Sequence, residues 1–163
     1  MEYHFEQWKD EDRVAVIDIF NYYVDNSFAA YPSIRLRYEA FDFLTSMIGG
    51  YPAISVKNNA DELIGFGFIR PYNPADTMRR TAEVTYFLAH EYTGKAIGAA
   101  ILDFLTSEAI KMGIDNFLAS ISSRNEESIK FHLKHGFIEC GRFRNVGRKS
   151  GEDFDVVWMQ KFL

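Results

Sequence analysis

Cysteine is almost absent from this sequence: Cys140 stands alone, so no internal disulfide can form and the chain suits a reducing compartment. Lying in a strand-like run among apolar residues, Cys140 reads as a small buried packing residue rather than a catalytic thiol. Proline is scarce, and neither a low-complexity run nor a fixed-period repeat occurs, so nothing marks a linker or a solenoid. Positive charge is in deficit, with 18 Lys and Arg against 23 Asp and Glu; a net charge of −5 disfavours a nucleic-acid partner, whose binders neutralise phosphates with a basic surface. No apolar run approaches the roughly 18 residues of a membrane span. The opening residues, Met1-Glu2-Tyr3-His4-Phe5-Glu6, lack the basic and long apolar regions of a signal peptide, so a soluble, cytoplasmic protein without a membrane partner is expected. What is plentiful is apolar and aromatic matter, with 15 Phe and 9 Tyr in 163 residues. That is enough for one good core and a single domain over 1–163.

Hydrophobic periodicity predicts the element order β-α-α-β-β-β-α-β-α-β-β, a mixed α/β fold with one sheet. Tyr3 to Glu6 alternates as a first strand, and Asp10-Glu11-Asp12 opens a helix carrying Val14, Ile17, Phe20 and Val24. The aromatic segment Phe28-Ala29-Ala30-Tyr31-Pro32 either packs under the next helix or walls a pocket. A second helix runs from Leu36 to Ile48 and ends at Gly49-Gly50. Ala53 to Lys57 and Leu63 to Arg70 form an antiparallel hairpin, and Gly65 and Gly67 within it suggest a close approach by backbone or ligand. Strand four, Thr81 to Leu88, has a continuous apolar character that predicts burial on both faces, interrupted by Glu83. Strand five, Asn116 to Ile121, precedes a helix from about Asn125 to His135, capped by Ser122 or Ser123 and stopped by Gly136. Phe137 to Val146 and Phe154 to Phe162 complete the sheet.

Between strand four and its following helix lies Thr93-Gly94-Lys95-Ala96-Ile97-Gly98-Ala99. Two glycines and an alanine leave room for a ligand, and the helix behind offers unpaired N–H groups and a positive dipole end, as in a phosphate cradle. An ordinary strand–turn–helix would also need glycine to turn. Ile97, Ile101, Leu105 and Ala109 recur at i+4, so the helix has a face built to lie on a sheet. Neither G-x-x-x-x-G-K-S/T nor G-x-G-x-x-G occurs here, which removes the common nucleotide-binding alternatives.

The turn resembles the Gln/Arg-x-x-Gly-x-Gly/Ala signature of the GNAT superfamily of N-acetyltransferases, with Thr93 and Ala96 as departures and Gly98 kept. A second stretch, from Asn125 through Ser128 and His132 to Gly136-Phe137, resembles the pattern that follows strand five in that superfamily. Asn125, Ser128 and His132 fall at i, i+3 and i+7, on one helical face. His132, Gly50-Tyr51-Pro52, Thr81-Ala82-Glu83, Asn21-x-Tyr23, Ser27 and Gly147-x-Lys149-x-Gly151 resemble the branch that includes phosphinothricin and methionine-sulfone acetyltransferases. The resemblance covers essentially the whole chain. Departures gather on the acceptor side, where Ala75, Met78, Ser150 and Asp153 replace residues usual in the branch.

The resemblance implies a GNAT fold, a mostly antiparallel sheet of about seven strands splayed between strands four and five. It also implies acetyl-CoA as cofactor, a small-molecule amine as acceptor, plausible as an amino acid or analogue, and a homodimer. Residues Tyr86, Phe87, Leu88, 93–99, Asn125 and Ser128 would hold the cofactor, with Phe87 or Leu88 supplying a backbone N–H to the oxyanion. Glu83 matches the family's general base, and desolvation would raise its pKa; the alternative is a rim carboxylate paired with Arg79 or Arg80. His132 is placed to protonate the leaving thiolate, or is a packed histidine. Phe28, Tyr31, Tyr72 and Ser150 are the expected acceptor residues. Arg142, Arg144, Arg148 and Lys149 form a basic cluster that binds an acceptor carboxylate or solvates a strand edge. His132 and His135 form an i, i+3 pair without a third ligand, so no metal is expected. A non-catalytic acyl-CoA sensor and a protein or peptide acetyltransferase are the competing functions.

Overall fold

The computed structural model describes residues 2–163, Met1 lying outside them, and its element order is the one read from the sequence. The elements are β1 (Tyr3–Gln7), α1 (Arg13–Asn26), α2 (Ala40–Ile48), β2 (Ala53–Asn58), β3 (Leu63–Pro71), β4 (Thr81–Leu88), α3 (Ile97–Lys111), β5 (Asn116–Ser122), α4 (Glu126–Lys134), β6 (Ile138–Lys149) and β7 (Glu152–Phe162). The strands form one seven-stranded sheet in the order β1-β2-β3-β4-β5-β7-β6. All neighbours pair antiparallel except β4 and β5, which run parallel and meet only at 81–83 against 116–118. Because β4 continues to Leu88 and β5 to Ser122, the two strands part beyond Glu83 and a wedge opens in the middle of the sheet.

The stripe on α3 holds one side of that wedge. Ile97, Ile101, Leu105 and Ala109 are buried and pack with Ile54, Val56, Val84 and Phe117 of the sheet. On the opposite face α1 and α2 place Val16, Ile17, Phe41 and Ile48 against Phe66 and Phe68. Each glycine of β3 is the seat of a close approach. A Cβ on Gly67 would lie 2.5 Å from the Ile101 side chain, and one on Gly65 would lie 2.4 Å from that of Leu88. These glycines admit α3 and β4 rather than a ligand.

Several boundaries and environments differ from the sequence reading. α2 begins at Ala40, not Leu36, because the Asn21 side chain bonds both the N–H and the carbonyl of Leu36 and holds it in a connection. α4 is capped by Asn125, whose side chain accepts from the Ser128 N–H at 3.3 Å. Both serines expected to cap it are engaged elsewhere, Ser122 with Arg124 N–H and Ser123 with Asp155 N–H. β4 alternates, with Ala82 and Val84 buried and the rest half-buried, since the wedge deprives its far half of a neighbour. Cys140 is exposed, because β6 is an edge strand with an open outer side.

Candidate active site

After β4 the chain makes a short turn at His90–Tyr92 and enters the cradle. Gly94 has φ of 71° and Ala96 φ of 63°, so two left-handed residues reverse the chain directly into α3. Ala96 is the N-cap and offers no side-chain cap, which leaves the N–H groups of Ile97, Gly98 and Ala99 directed outward at the positive end of the helix. A Cβ on Gly94 would meet nothing within 4 Å, while Gly98 sits under the Phe131 ring of α4. Thr93 Oγ1 donates to the His90 carbonyl at 2.8 Å and stiffens the entry. Lys95 Nζ lies 5.1 Å from the Tyr92 ring centre, beside the same turn. Donors, dipole and a nearby cation on an open surface fit the diphosphate of a coenzyme A molecule.

Strand register then decides which backbone groups face the wedge. Ala89 N–H donates to Ile64 O and Tyr72 N–H to Thr81 O, so Glu83, Thr85 and Phe87 direct their backbone groups to β3. Val84, Tyr86 and Leu88 therefore direct theirs into the wedge, where β5 has turned away. Of the two residues offered for an oxyanion donor, only Leu88 has its N–H on this side. The Leu88 carbonyl accepts from the Tyr23 hydroxyl at 2.7 Å, which ties the end of α1 to the wedge.

His132 lies deep beside this strand, 4% exposed. Nδ1 is 2.7 Å from the Ser128 carbonyl, which can only accept, so Nδ1 carries the proton. Nε2 is then a lone pair, and it accepts from the Tyr86 hydroxyl at 2.7 Å. Burial drives the His132 pKa down to about 4, against a smaller upward pull from the Ser128 carbonyl. The imidazole is neutral at physiological pH, and both ring nitrogens are occupied, so none remains for a metal. Among the described residues His4, Glu6 and Asp61 form the group with metal-ligand spacing, but Lys57 Nζ already lies 3.0 Å from Glu6 and 4.0 Å from Asp61.

On the opposite face, at the mouth of the wedge, stands Glu83, 12% exposed at its side chain. Its ion partner is Arg70 of β3 at 2.5 Å, neither Arg79 nor Arg80; Arg80 pairs with Asp115. Burial raises the Glu83 pKa, and Arg70 opposes the rise without cancelling it. Along the same face Leu118 follows Glu83 on β5, and Ser120 comes next. The Ser120 and Tyr31 hydroxyls lie 2.8 Å apart. Tyr31 stacks on Phe154 at 5.8 Å, Phe28 meets the same ring edge-on, and Tyr72 meets Trp158, the register partner of Ser120. The aromatic segment thus packs onto β5 and β7 instead of beneath α2.

Arg70, Ser120, Phe154 and Trp158 were not singled out in the sequence. Arg70 could have been found from the β3–β4 register, but the loop from 71 to 80 leaves that register open until the strands are paired. Ser150 occupies the tip of the β6–β7 hairpin with φ of 52° and is exposed, apart from the aromatic group. The basic cluster is largely held by neighbours: Arg142 by Glu139 and Asp155, Arg148 by Asp153. Lys149 is buried, and its Nζ donates to the carbonyls of Ser27 and Ala30 at 2.7 and 2.8 Å. That contact fastens the hairpin to the aromatic wall.

A sheet wedged open beside an uncapped helix N-terminus is the arrangement that acyl-CoA transferases use, and the sequence family agrees: the acetyltransferase (GNAT) domain matches residues 40–158. The chain belongs to the GNAT acetyltransferases. It is 28% identical over 151 residues, 91% of this chain and 88% of the relative, to an L-methionine sulfoximine/L-methionine sulfone acetyltransferase of Pseudomonas aeruginosa. A phosphinothricin acetyltransferase from Sinorhizobium meliloti, solved with acetyl-CoA, superposes with a TM-score of 0.92 at 25% identity, covering 100% of this chain and 89% of that one. A ribosomal-protein-alanine N-acetyltransferase from Brucella melitensis superposes with a TM-score of 0.89 at 27% identity over 98% of this chain and 99% of the other. Among the described residues no helix is long and apolar enough to cross a membrane.

Proposed function

We propose that this chain acetylates the amino group of a small amino-acid-like molecule, with Glu83 as general base. The observation that carries the reading is the placement of Glu83: a half-buried carboxylate of raised pKa at the mouth of the wedge, on the same face as Tyr31, Ser120 and Tyr72. An amine acceptor reaches the site mostly as an ammonium ion, and a desolvated carboxylate is suited to take its proton. Bound acetyl-CoA supplies the acetyl group as a thioester. Residues 93–99 are suited to its diphosphate, and the wedge-facing backbone of Tyr86 and Leu88 to its pantetheine arm. Asn125 and Ser128 hold the first turn of α4 and the His132 ring, an indirect share in the cofactor site. His132, neutral and accepting from Tyr86, fits the orientation of the Tyr86 hydroxyl better than direct proton donation.

Calorimetry with acetyl-CoA and a thiol-release assay over an amine panel that includes L-methionine sulfone and sulfoximine test the reading. Glu83→Gln is expected to lower kcat by roughly 100-fold or more while leaving acetyl-CoA affinity unchanged. Cofactor binding without thiol release from any amine would indicate the sensor function instead. The Brucella relative favours a protein acceptor as the second reading; acetylation of peptides but not of free amines would establish it. The open edge of β6, with Ile138, Phe143 and Val146 exposed, supports a homodimer, and a monomer in sedimentation at micromolar concentration would remove it.

A further inference from the structure

β1 lies at the end of the sheet opposite β6, and among the described residues no strand covers its outer side. Trp8 N–H donates to the Ala53 carbonyl, so the register with β2 turns the backbone groups of His4, Glu6 and Trp8 inward. Those of Tyr3, Phe5 and Gln7 therefore point away from the sheet, a row of main-chain donors and acceptors at every second residue. The helices leave the row uncovered, because α2 packs chiefly on β3 and α3 on β3 and β4.

The row is self-complementary. Antiparallel pairing of two copies about a two-fold axis at Phe5 sets Tyr3 against Gln7, Phe5 against Phe5 and Gln7 against Tyr3, and each pair exchanges two main-chain hydrogen bonds. The same register sets His4 against Glu6 of the second copy, twice by symmetry. Both side chains are accessible, 48% and 28% exposed, and His4 Nε2 already lies 3.5 Å from Glu6 Oε1 of its own chain. A shift of two residues in either direction loses a main-chain pair and sets His4 against His4 or Glu6 against Glu6. Beside Gln7 the edge opens on a cavity of about 530 Å³ lined by Phe5, Trp8, Tyr51, Phe104 and Met112. The register centred on Phe5 brings Tyr3 of the second copy to its rim.

We propose that β1 is a self-association edge: two copies pair antiparallel along Tyr3–Gln7, centred on Phe5, and their sheets run on as one. Charged side chains on an edge strand ordinarily guard it against pairing. Here the guard admits a second copy, which supplies the opposite partner at each charged position. The contact is separate from any at β6 and does not depend on the acetyltransferase reading.

Sedimentation of the full chain over about 1 to 100 µM tests the proposal, in a Phe143→Lys background that silences the β6 edge. A concentration-dependent dimer is expected. Gln7→Pro removes an outward N–H that the fold does not use, and His4→Glu sets like charges against Glu6; each should raise the dimer Kd at least about tenfold. Register is read by mixing His4→Cys with Glu6→Cys chains, both carrying Cys140→Ser. Oxidation should give the mixed disulfide dimer and little of either like pair, with or without Phe143→Lys. A monomer at every concentration overturns the inference and leaves the edge to a strand of another protein. Association that Phe143→Lys abolishes overturns it as well and leaves the β6 homodimer standing. If Gln7→Pro does not fold, His4→Glu and the cross-link decide; equal yields of mixed and like pairs overturn the register.

Discussion

The proposed cofactor side and the proposed acceptor side of this sheet meet at Glu83, yet they are assembled in opposite ways. One nearly continuous stretch, β4 through α3, supplies the wedge strand, the cradle and the helix that anchors it, and α4 adds the His132–Tyr86 contact. The acceptor side draws Tyr31, Arg70, Tyr72, Ser120, Phe154 and Trp158 from separate segments, and its fastenings span 89 residues at Tyr31–Ser120 and 119 at Lys149–Ala30. A local site needs only its own stretch to fold correctly. A non-local site depends on sheet register and on contacts between loops, so single substitutions there can alter the acceptor without disturbing the donor.

The largest effect, beyond loss of turnover in Glu83→Gln, is expected from the buried titration on the cofactor side. His132 has a folded pKa of about 4 against 6.5 in the unfolded chain, so the unfolded state binds the extra proton first. Its stabilising contribution is full above pH 6.5 and is lost as pH falls towards 4, about 3 kcal/mol over that window. Chemical denaturation across pH 7 to 4 should follow this slope, and His132→Gln, which can still accept from Tyr86, should flatten it; an unchanged slope would place the titration elsewhere.

Lys149→Met tests the acceptor side. Leaving the carbonyls of Ser27 and Ala30 without their donor should cost about 2 kcal/mol and loosen the wall that carries Phe28 and Tyr31. Acceptor KM should rise about tenfold while acetyl-CoA affinity stays within twofold. Equal loss of both would mean that the two sides are coupled more tightly than their separate construction implies. The smallest effect is expected at Ala96, a non-glycine residue at φ of 63°. Ala96→Gly should relieve about 1 kcal/mol of left-handed strain, tighten acetyl-CoA binding in calorimetry and leave acceptor KM unchanged.

The difference between the two sides also explains what could be read from the residues. β4 was placed from Thr81 to Leu88, and the turn at 93–98 was located because glycine spacing and an amphipathic stripe are local signals. The start of α2 was misplaced because the Asn21 side chain, 15 residues away, removes Leu36 from the helix. The partner of Glu83 was sought in the adjacent arginines at 79 and 80, although pairing across the sheet brings Arg70 nearer than either neighbour in sequence. Cys140 was expected inside because its run is apolar, and no local pattern tells an edge strand from an inner one.

By itself the sequence determined the element order, the turn at 93–98 and the family, because each depends on residues a few positions apart. Tertiary structure decided the rest. The parting of β4 from β5 selects Tyr86 and Leu88 over Phe87 by the direction of their backbone groups. The hydrogen bonds of His132 set its tautomer, and its burial sets its neutrality. Sheet register places Arg70 against Glu83. Each is a consequence of which strands become neighbours, and the cross-strand contacts that choose those neighbours exist only once the sheet has formed.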